Sequence, residues 1–297
     1  MLFVELSRHM LQLSRSHKQR LVLVLFALSL IPLLAKLWTP AEPNRSKNEK
    51  YSAELKKFST LNQLIAYADA TYEKNKTTVS FDTTEYALNL SEIIKKRFYH
   101  EDLKYSFSEN WIAWLVGKTL WSHISFIVIS DDILNHSEAI CSQQTSVFME
   151  ILKKKGINVR SVGLGFDEGP GHYLCEVHYQ GGWHLYDVSI EPDWGVIEDS
   201  HMSLDYYLTK KDLLYKAYEK RLPRPLFDKI LERHSYGEVN KLPAKNMKLL
   251  HQTMNVCTYL LPVCLGLLLI SLYAKAHFGT KQKEFQEEKE DTLILAK

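Results

Sequence analysis

Two stretches of this chain are apolar almost throughout. Residues 21–38 read LVLVLFALSLIPLLAKLW, broken only by Ser29 and Lys36. Residues 256–274 read VCTYLLPVCLGLLLISLYA. A membrane-crossing helix needs about 20 such residues, so each predicts a transmembrane segment. Lys36 can snorkel and Trp38 suits the aromatic belt at a membrane interface. Pro262 and Gly266 are tolerated inside a lipid-embedded helix. A cleaved signal peptide competes for the first stretch. The long basic leader and the lack of a small-x-small cleavage site favour an uncleaved anchor. A buried core helix competes for the second. Its place after a lysine-rich segment favours a span.

Between them the pattern becomes that of a folded domain. Residues 51–72 and 84–98 carry apolar positions at helical spacing. Residues 111–129 are aromatic and apolar, but Gly117, Lys118, Ser122 and His123 interrupt them. A buried helix beneath the cysteine helix is expected there, not a third span. From Cys141 onward, Val147, Phe148, Ile151 and Leu152 mark that cysteine helix, with Gly156 placed as a left-handed C-cap. Residues 158–164, 172–179 and 183–188 read as strands, the last two joined by Gln180-Gly181-Gly182. Residues 203–222 predict one helix, stopped by Pro223 and Pro225. Residues 227–233 predict a short helix, and 237–248 a linker.

Charge and composition narrow the picture. The chain has 297 residues and a net charge of +2. A nearly neutral chain implies no nucleic-acid partner, and the mix of apolar and charged residues is that of a globular protein. The organisation expected is a basic leader (1–20), a span (21–38), a linker and helical lead-in (39–84), a core (85–195), a helical extension (196–250), a second span (256–274) and a charged, disordered tail (275–297). The leader reads equally as an amphipathic membrane-surface helix or as a disordered basic arm. Arg8, Arg15, Lys18 and Arg20 put the N-terminus in the cytoplasm. Two spans return the C-terminus there, in agreement with Lys275, Lys281 and Lys283. Lys241, Lys245 and Lys248 fall on the outer side and oppose this orientation mildly.

Three residues in the core carry a chemistry together. Cys141 opens a helix, His172 opens a strand and Asp187 closes the next strand. A thiol, an imidazole and a carboxylate on separate elements are the parts of a Cys-His-Asp nucleophilic site. A helix N-terminus and a neighbouring imidazolium both stabilise a thiolate, and the free N–H groups of a first turn suit an oxyanion. Trp111, Trp114 and Trp121 are candidates for a second oxyanion donor. A tight turn at Gly181 would set Asp187 opposite about residue 175, roughly 10 Å short of His172 at ~3.3 Å per residue. A wider loop or a bulge is therefore expected.

Blander readings compete. Cys141 can be a buried structural cysteine, and Asp187 a turn residue at a strand end. Strand alternation puts Cys175 on the opposite face from His172, Leu174, Glu176 and His178. This speaks against a Cys141–Cys175 disulfide, and against zinc held by His172, Cys175 and His178. Trp183 and Trp194 read as core or cleft-wall aromatics. No cofactor is expected.

The order Cys, helix, Gly-Ile-x-Val-Arg strand, Gly-His strand, Gly-Gly-Trp turn and Asp resembles the transglutaminase-like superfamily over residues 85–195. The resemblance implies a papain-like α+β fold, a nucleophile helix packed on an antiparallel sheet, with Cys141 as nucleophile, His172 as base and Asp187 as its orienting carboxylate. One departure is Ala139, where the family usually has glycine two residues before the cysteine. The implied activity is protease or amidase action, or acyl transfer, through a thioester. The implied partner is a peptide or protein, and the expected location points to the cell envelope. A bacterial inner-membrane protein with a periplasmic catalytic domain is expected. The family also has inactive members, so a non-catalytic binding or assembly module is the alternative.

Overall fold

The structure is a computed structural model that describes residues 14–37, 51–165, 171–190 and 192–295. The leader up to residue 13 and the expected linker at 40–50 lie outside the described residues. In chain order the elements are α1 (Arg15–Ala35), a 3-10 turn (Ala53–Lys57), α2 (Leu61–Asn75), α3 (Thr83–Arg97), α4 (Phe107–Thr119), a 3-10 turn (Ser122–Ser125), α5 (Ser130–Leu134) and α6 (Cys141–Lys154). Then come β1 (Val159–Leu164), β2 (His172–Tyr179), β3 (Gly182–Tyr186), a 3-10 turn (Trp194–Val196), α7 (Leu204–Thr209), α8 (Lys211–Tyr218), α9 (Arg224–Leu231), β4 (His234–Tyr236) and α10 (Lys245–Leu295). The chain is α+β and divides into two compact units.

The larger unit holds residues 43–104 and 122–249. Its sheet has the order β3-β2-β1-β4 and is antiparallel at every pairing. Gln180 and Gly181 make the β2–β3 turn with φ of 49° and 77°. A two-residue turn with positive φ at both positions matches the twist of paired strands, and glycine adopts it without strain. Directly paired residues share a sheet face. Tyr186 pairs with Cys175, and its ring packs on Phe148 of α6 at 5.6 Å. One face therefore lies under α6. The other buries Val162, Leu164, Leu174 and Leu185 against Leu204, Tyr207, Leu214, Tyr218, Phe227 and Ile230 from α7 to α9. Both faces are covered, so the strands are apolar on both sides.

One buried carboxylate inside this unit is held by several partners. Glu176 is fully buried. It accepts from Arg160 Nε at 2.6 Å and from Leu204 N at 2.7 Å. The Arg160 guanidinium lies between the rings of Trp183 and Tyr236, at 4.5 and 4.2 Å.

Several elements differ from the sequence reading. The helix expected at 51–72 is a 3-10 turn followed by α2, because Thr60 caps a new start by accepting from Gln63 N at 3.3 Å. The helix expected at 203–222 breaks at Lys210, where φ is −131° and ψ is 53°. The break lets Leu204, Tyr207, Leu214 and Tyr218 all reach one apolar cluster. β4 is an addition to the expected strands. Its three residues lengthen the sheet beside β1. The linker expected at 237–248 gives way to α10 from Lys245, and the tail expected to be disordered is helical to Leu295. Its run of lysine, glutamate and glutamine, without proline, favours helix intrinsically.

The smaller unit holds α1, α4 and α10 from Leu250 onward. α1 and α10 are long and apolar enough to cross a membrane. They pack antiparallel: Gln19 Nε2 donates to Leu272 O at 3.2 Å, and Lys36 Nζ donates to Tyr259 OH at 2.8 Å. Between these contacts Gly266 faces Phe26, whose ring would lie 3.3 Å from any added Cβ. The absence of a side chain lets the helices approach. α4 corrects the expectation of a helix beneath the cysteine helix. It belongs to the smaller unit and packs on α1. Within α4, only Asn110 and Ala113 are buried, so its apolar residues do not serve a core. Asn110 leaves helical geometry, with its Oδ1 accepting from Ala113 N at 3.1 Å and its Nδ2 donating to His251 O at 3.5 Å.

Candidate active site

The approach to Cys141 is held by the backbone. Tyr99 N donates to Ser137 O at 2.8 Å, and Ala139 N donates to Tyr99 O at 2.9 Å. Gln144 Nε2 donates to Ala139 O at 2.7 Å. Ala139 is fully buried, so its methyl group is accommodated in the core. Gln143 is also buried. Its Nε2 donates to Leu103 O and Ile127 O at 2.8 and 2.9 Å, and its Oε1 accepts from Ile140 N at 3.1 Å. These bonds fix two neighbouring loops to the start of α6. Cys141 comes next as the first residue of α6 and is partly exposed. Gln143 N and Gln144 N both donate to Ile140 O at 3.0 Å, so the N–H groups that the helix start leaves without an intrahelical partner are those of Cys141 and Ser142.

His172 is the first residue of β2 and is 4 % exposed. Its Nε2 lies 2.6 Å from Asp187 Oδ2. Asp187 is one residue beyond β3 and 1 % exposed. The β2–β3 register runs without a bulge from Tyr179↔Gly182 to Cys175↔Tyr186. Continued by one step, it sets Asp187 opposite Leu174. His172 is two positions along on the same face. Such diagonal neighbours are about 7–8 Å apart, within reach of an imidazole and a carboxylate. The expected bulge or wide loop is therefore not needed.

Asp187 is saturated. Oδ1 accepts from Ser189 N, Ser189 Oγ and Ile190 N, each at 3.1 Å. Oδ2 accepts from Tyr218 OH at 2.8 Å as well as facing His172. This packing sets the electrostatics. Burial alone lowers the His172 pKa, but the charge and hydrogen bond of Asp187, then contact with Cys141, outweigh it and raise it to about 10. Burial alone raises Asp187, but His172, Ser189 and Tyr218 hold it well below the usual carboxylate range. The pair is an ion pair at neutral pH. With Nε2 engaged by the carboxylate, the other ring nitrogen is left free, and Cys141 lies near enough to add to the upward shift of His172.

Cys141, His172 and Asp187 thus meet at the end of the sheet. Comparison with family models, curated proteins and solved structures returned no match. The chemistry open to the site is that of these three side chains and the groups that hold them.

Cys175 corrects an inference from strand alternation. It is Cys175, paired with Tyr186, that faces the body of α6. His172 is on the opposite face and meets α6 only at its first residue, because it stands at the strand end. All four cysteines are free. Burial pushes the Cys175 thiol well up. Trp183 stacks on Arg160, and Trp194 packs on His201 with ring centroids 4.5 Å apart. His178 packs edge-on against Trp183 at 5.0 Å. Among the described residues no three His, Cys, Asp or Glu side chains are grouped to hold a metal ion. Trp111, Trp114 and Trp121 fall in the smaller unit. Sequence reasoning missed Tyr218 and Gln143. A tyrosine in an amphipathic helix and a glutamine after a cysteine carry no spacing signal. Only the fold brings them to the site.

Proposed function

We propose that the larger unit is a transglutaminase-like cysteine enzyme acting on amide or peptide carbonyls, tethered to a membrane by α1 and α10. The observation that carries this reading is His172, buried between Asp187 and Cys141 with its Nε2 2.6 Å from the carboxylate. In the proposed cycle Cys141 Sγ attacks the carbonyl carbon and the backbone N–H groups of Cys141 and Ser142 receive the oxyanion. The C–N bond breaks, and the departing amine takes a proton from His172. Water or a second amine then attacks the thioester. His172 accepts the nucleophile's proton as the Sγ–C bond breaks, which restores the thiolate and imidazolium that began the cycle. Asp187 keeps the ring oriented and supports its charge, and Tyr218 and Ser189 hold Asp187.

The antiparallel pairing of α1 and α10 supports an arrangement in which both chain ends lie on one side of the membrane. The basic residues of the leader and of the segment after Ala274 favour the cytoplasm for that side. In this reading the enzyme faces the periplasm of a bacterial inner membrane, and its substrates are envelope peptides or proteins.

A second reading, a non-catalytic binding module, is favoured by one feature. A groove of about 510 Å³ bordered by Phe58, Tyr67, Asn89 and Glu92 includes none of the three site residues. The test uses the full chain in detergent with a pool of amide-bearing peptides and a biotin-tagged primary amine. New carboxylates or tagged peptides that disappear with Cys141→Ala support the enzyme. Identical product from the parent and Cys141→Ala refutes it.

A further inference from the structure

The smaller unit contains an apolar element that neither span nor site accounts for. α4 and the two residues after it carry Trp111, Trp114, Leu115, Leu120 and Trp121. Leu115 is 43 % exposed, Leu120 83 % and Trp121 49 %. Trp111 and Trp114 are half-buried. This is a surface that water does not favour, in a helix whose only buried residues are Asn110 and Ala113.

Its height along the helix pair can be read from contacts inside the unit. Lys36 Nζ meets Tyr259 OH, which marks where α1 ends beside α10. Asn110, at the start of α4, meets His251 O, and the Tyr105 ring packs edge-on against His251 at 4.9 Å. His251 precedes Tyr259 by eight residues, about 12 Å at 1.5 Å per residue. It precedes Val256, the start of the apolar run, by five residues, about 7 Å. α4 therefore begins just outside the apolar zone and packs on α1, whose last helical residue is Ala35.

We propose that α4 and its C-terminal extension through Trp121 form an interfacial element that inserts at the boundary between lipid headgroups and acyl chains, on the side where Lys36 and Tyr259 lie. This rests on the membrane reading of α1 and α10. The occupant of the apolar surface is lipid, because α4 packs on α1 and the two long helices of the same unit carry exposed apolar flanks of their own: Leu34 is 63 % exposed and Leu260 53 %. Tryptophan favours the headgroup level, where its ring is apolar and its N–H is wet. Lys118, among these residues, reaches back to water by its long stem. Asn110 breaks the helix where the chain enters, so the Trp-rich part takes its own direction.

The test places the full chain in phosphatidylcholine–phosphatidylglycerol vesicles with an apolar carbene-generating photoprobe dissolved in the bilayer, followed by peptide mapping. Labelling of residues 111–121 should exceed that of β2 by about tenfold or more, and approach that of residues 256–274, as burial in the acyl boundary requires. Leu115→Glu with Leu120→Glu should reduce labelling of this stretch several-fold and leave α1 and α10 labelled. Lys118 should stay reactive toward a membrane-impermeant amine reagent. If α1 and α10 label but 111–121 stays at the level of β2, the inference fails and the anchor reading stands. If Lys118 is fully protected, an interfacial placement is wrong. If neither α1 nor α10 labels, the membrane reading itself fails, and this inference with it.

Discussion

The two units bury opposite things. The larger one buries three polar groups with partners: Glu176 with Arg160, Gln143 with three backbone groups, and His172 with Asp187. The smaller one leaves apolar side chains outward, with Leu267 63 % and Ile270 67 % exposed. In the first, a buried charge lies among groups that bond it, so removing one partner exposes the cost of the rest. In the second, under the proposed membrane setting, the favourable surroundings are outside the protein, and its surface residues would behave as core residues do elsewhere. A change that is mild in one unit should be severe in the other.

The largest effect is expected at the ion pair. Asp187→Asn leaves an imidazolium buried without its counter-charge, a loss of about 3–5 kcal/mol by the precedent of broken buried pairs. Urea unfolding followed by near-ultraviolet dichroism measures it, and a change under about 1 kcal/mol would show that the pair is not buried as described. The same pair sets a pH signature. The folded His172 is raised from 6.5 to about 10, so its contribution is complete below about pH 6.5 and fades as pH rises through 10. Asp187 is depressed, so its contribution is complete above the ordinary carboxylate value of 3.8 and fades as pH falls below it. Stability should be greatest between these limits and decline toward pH 10. His172→Gln should flatten that alkaline decline.

A slightly smaller effect is expected in the other unit. Leu267→Asp should cost about 2.5–3.5 kcal/mol of membrane insertion if α10 spans lipid. An equally exposed residue of a water-soluble surface would change by only about 0.5 kcal/mol. Partition between alkali-washed membranes and supernatant reads the difference, and unchanged partition would erase the contrast between the units. Tyr218→Phe removes one hydrogen bond to the Asp187 carboxylate and keeps the ring. It should cost about 1.5–3 kcal/mol, and it should slow Cys141 modification without abolishing it. The smallest effect is expected for Gly266→Ala, whose added methyl meets Phe26 at 3.3 Å. It should loosen the α1–α10 pair by about 1 kcal/mol or less, while the unfolding of the sheet unit stays as it was.

The legible parts of this chain are those set by local pattern. β2 spans the residues its alternation and flanking glycines indicate, and α6 starts at Cys141 and ends before Gly156, where φ is positive. The three site residues can be named because each begins or follows a regular element. The illegible parts depend on contacts distant in sequence. The offset between His172 and Asp187 looks like a gap when strand spacing is counted without the reach of the side chains across a diagonal. The 111–129 segment looks like one buried helix, but only its later part is core, with Ile124 and Ile127 buried, while residues 111–121 fall in the smaller unit. Lys210 breaks a helix without proline or glycine, so nothing local announces it.

The central claim is that Cys141, His172 and Asp187 act as one unit, and the most direct measurement is the rate at which a small thiol electrophile modifies Cys141 at pH 7. That rate, mapped by peptide mass spectrometry, is compared among the parent, His172→Ala and Asp187→Asn. The account predicts losses of about tenfold or more in both variants, since a nucleophile activated by an adjacent base depends on that base and on the group that orients it. Equal rates in all three proteins, each shown to be folded, would contradict it.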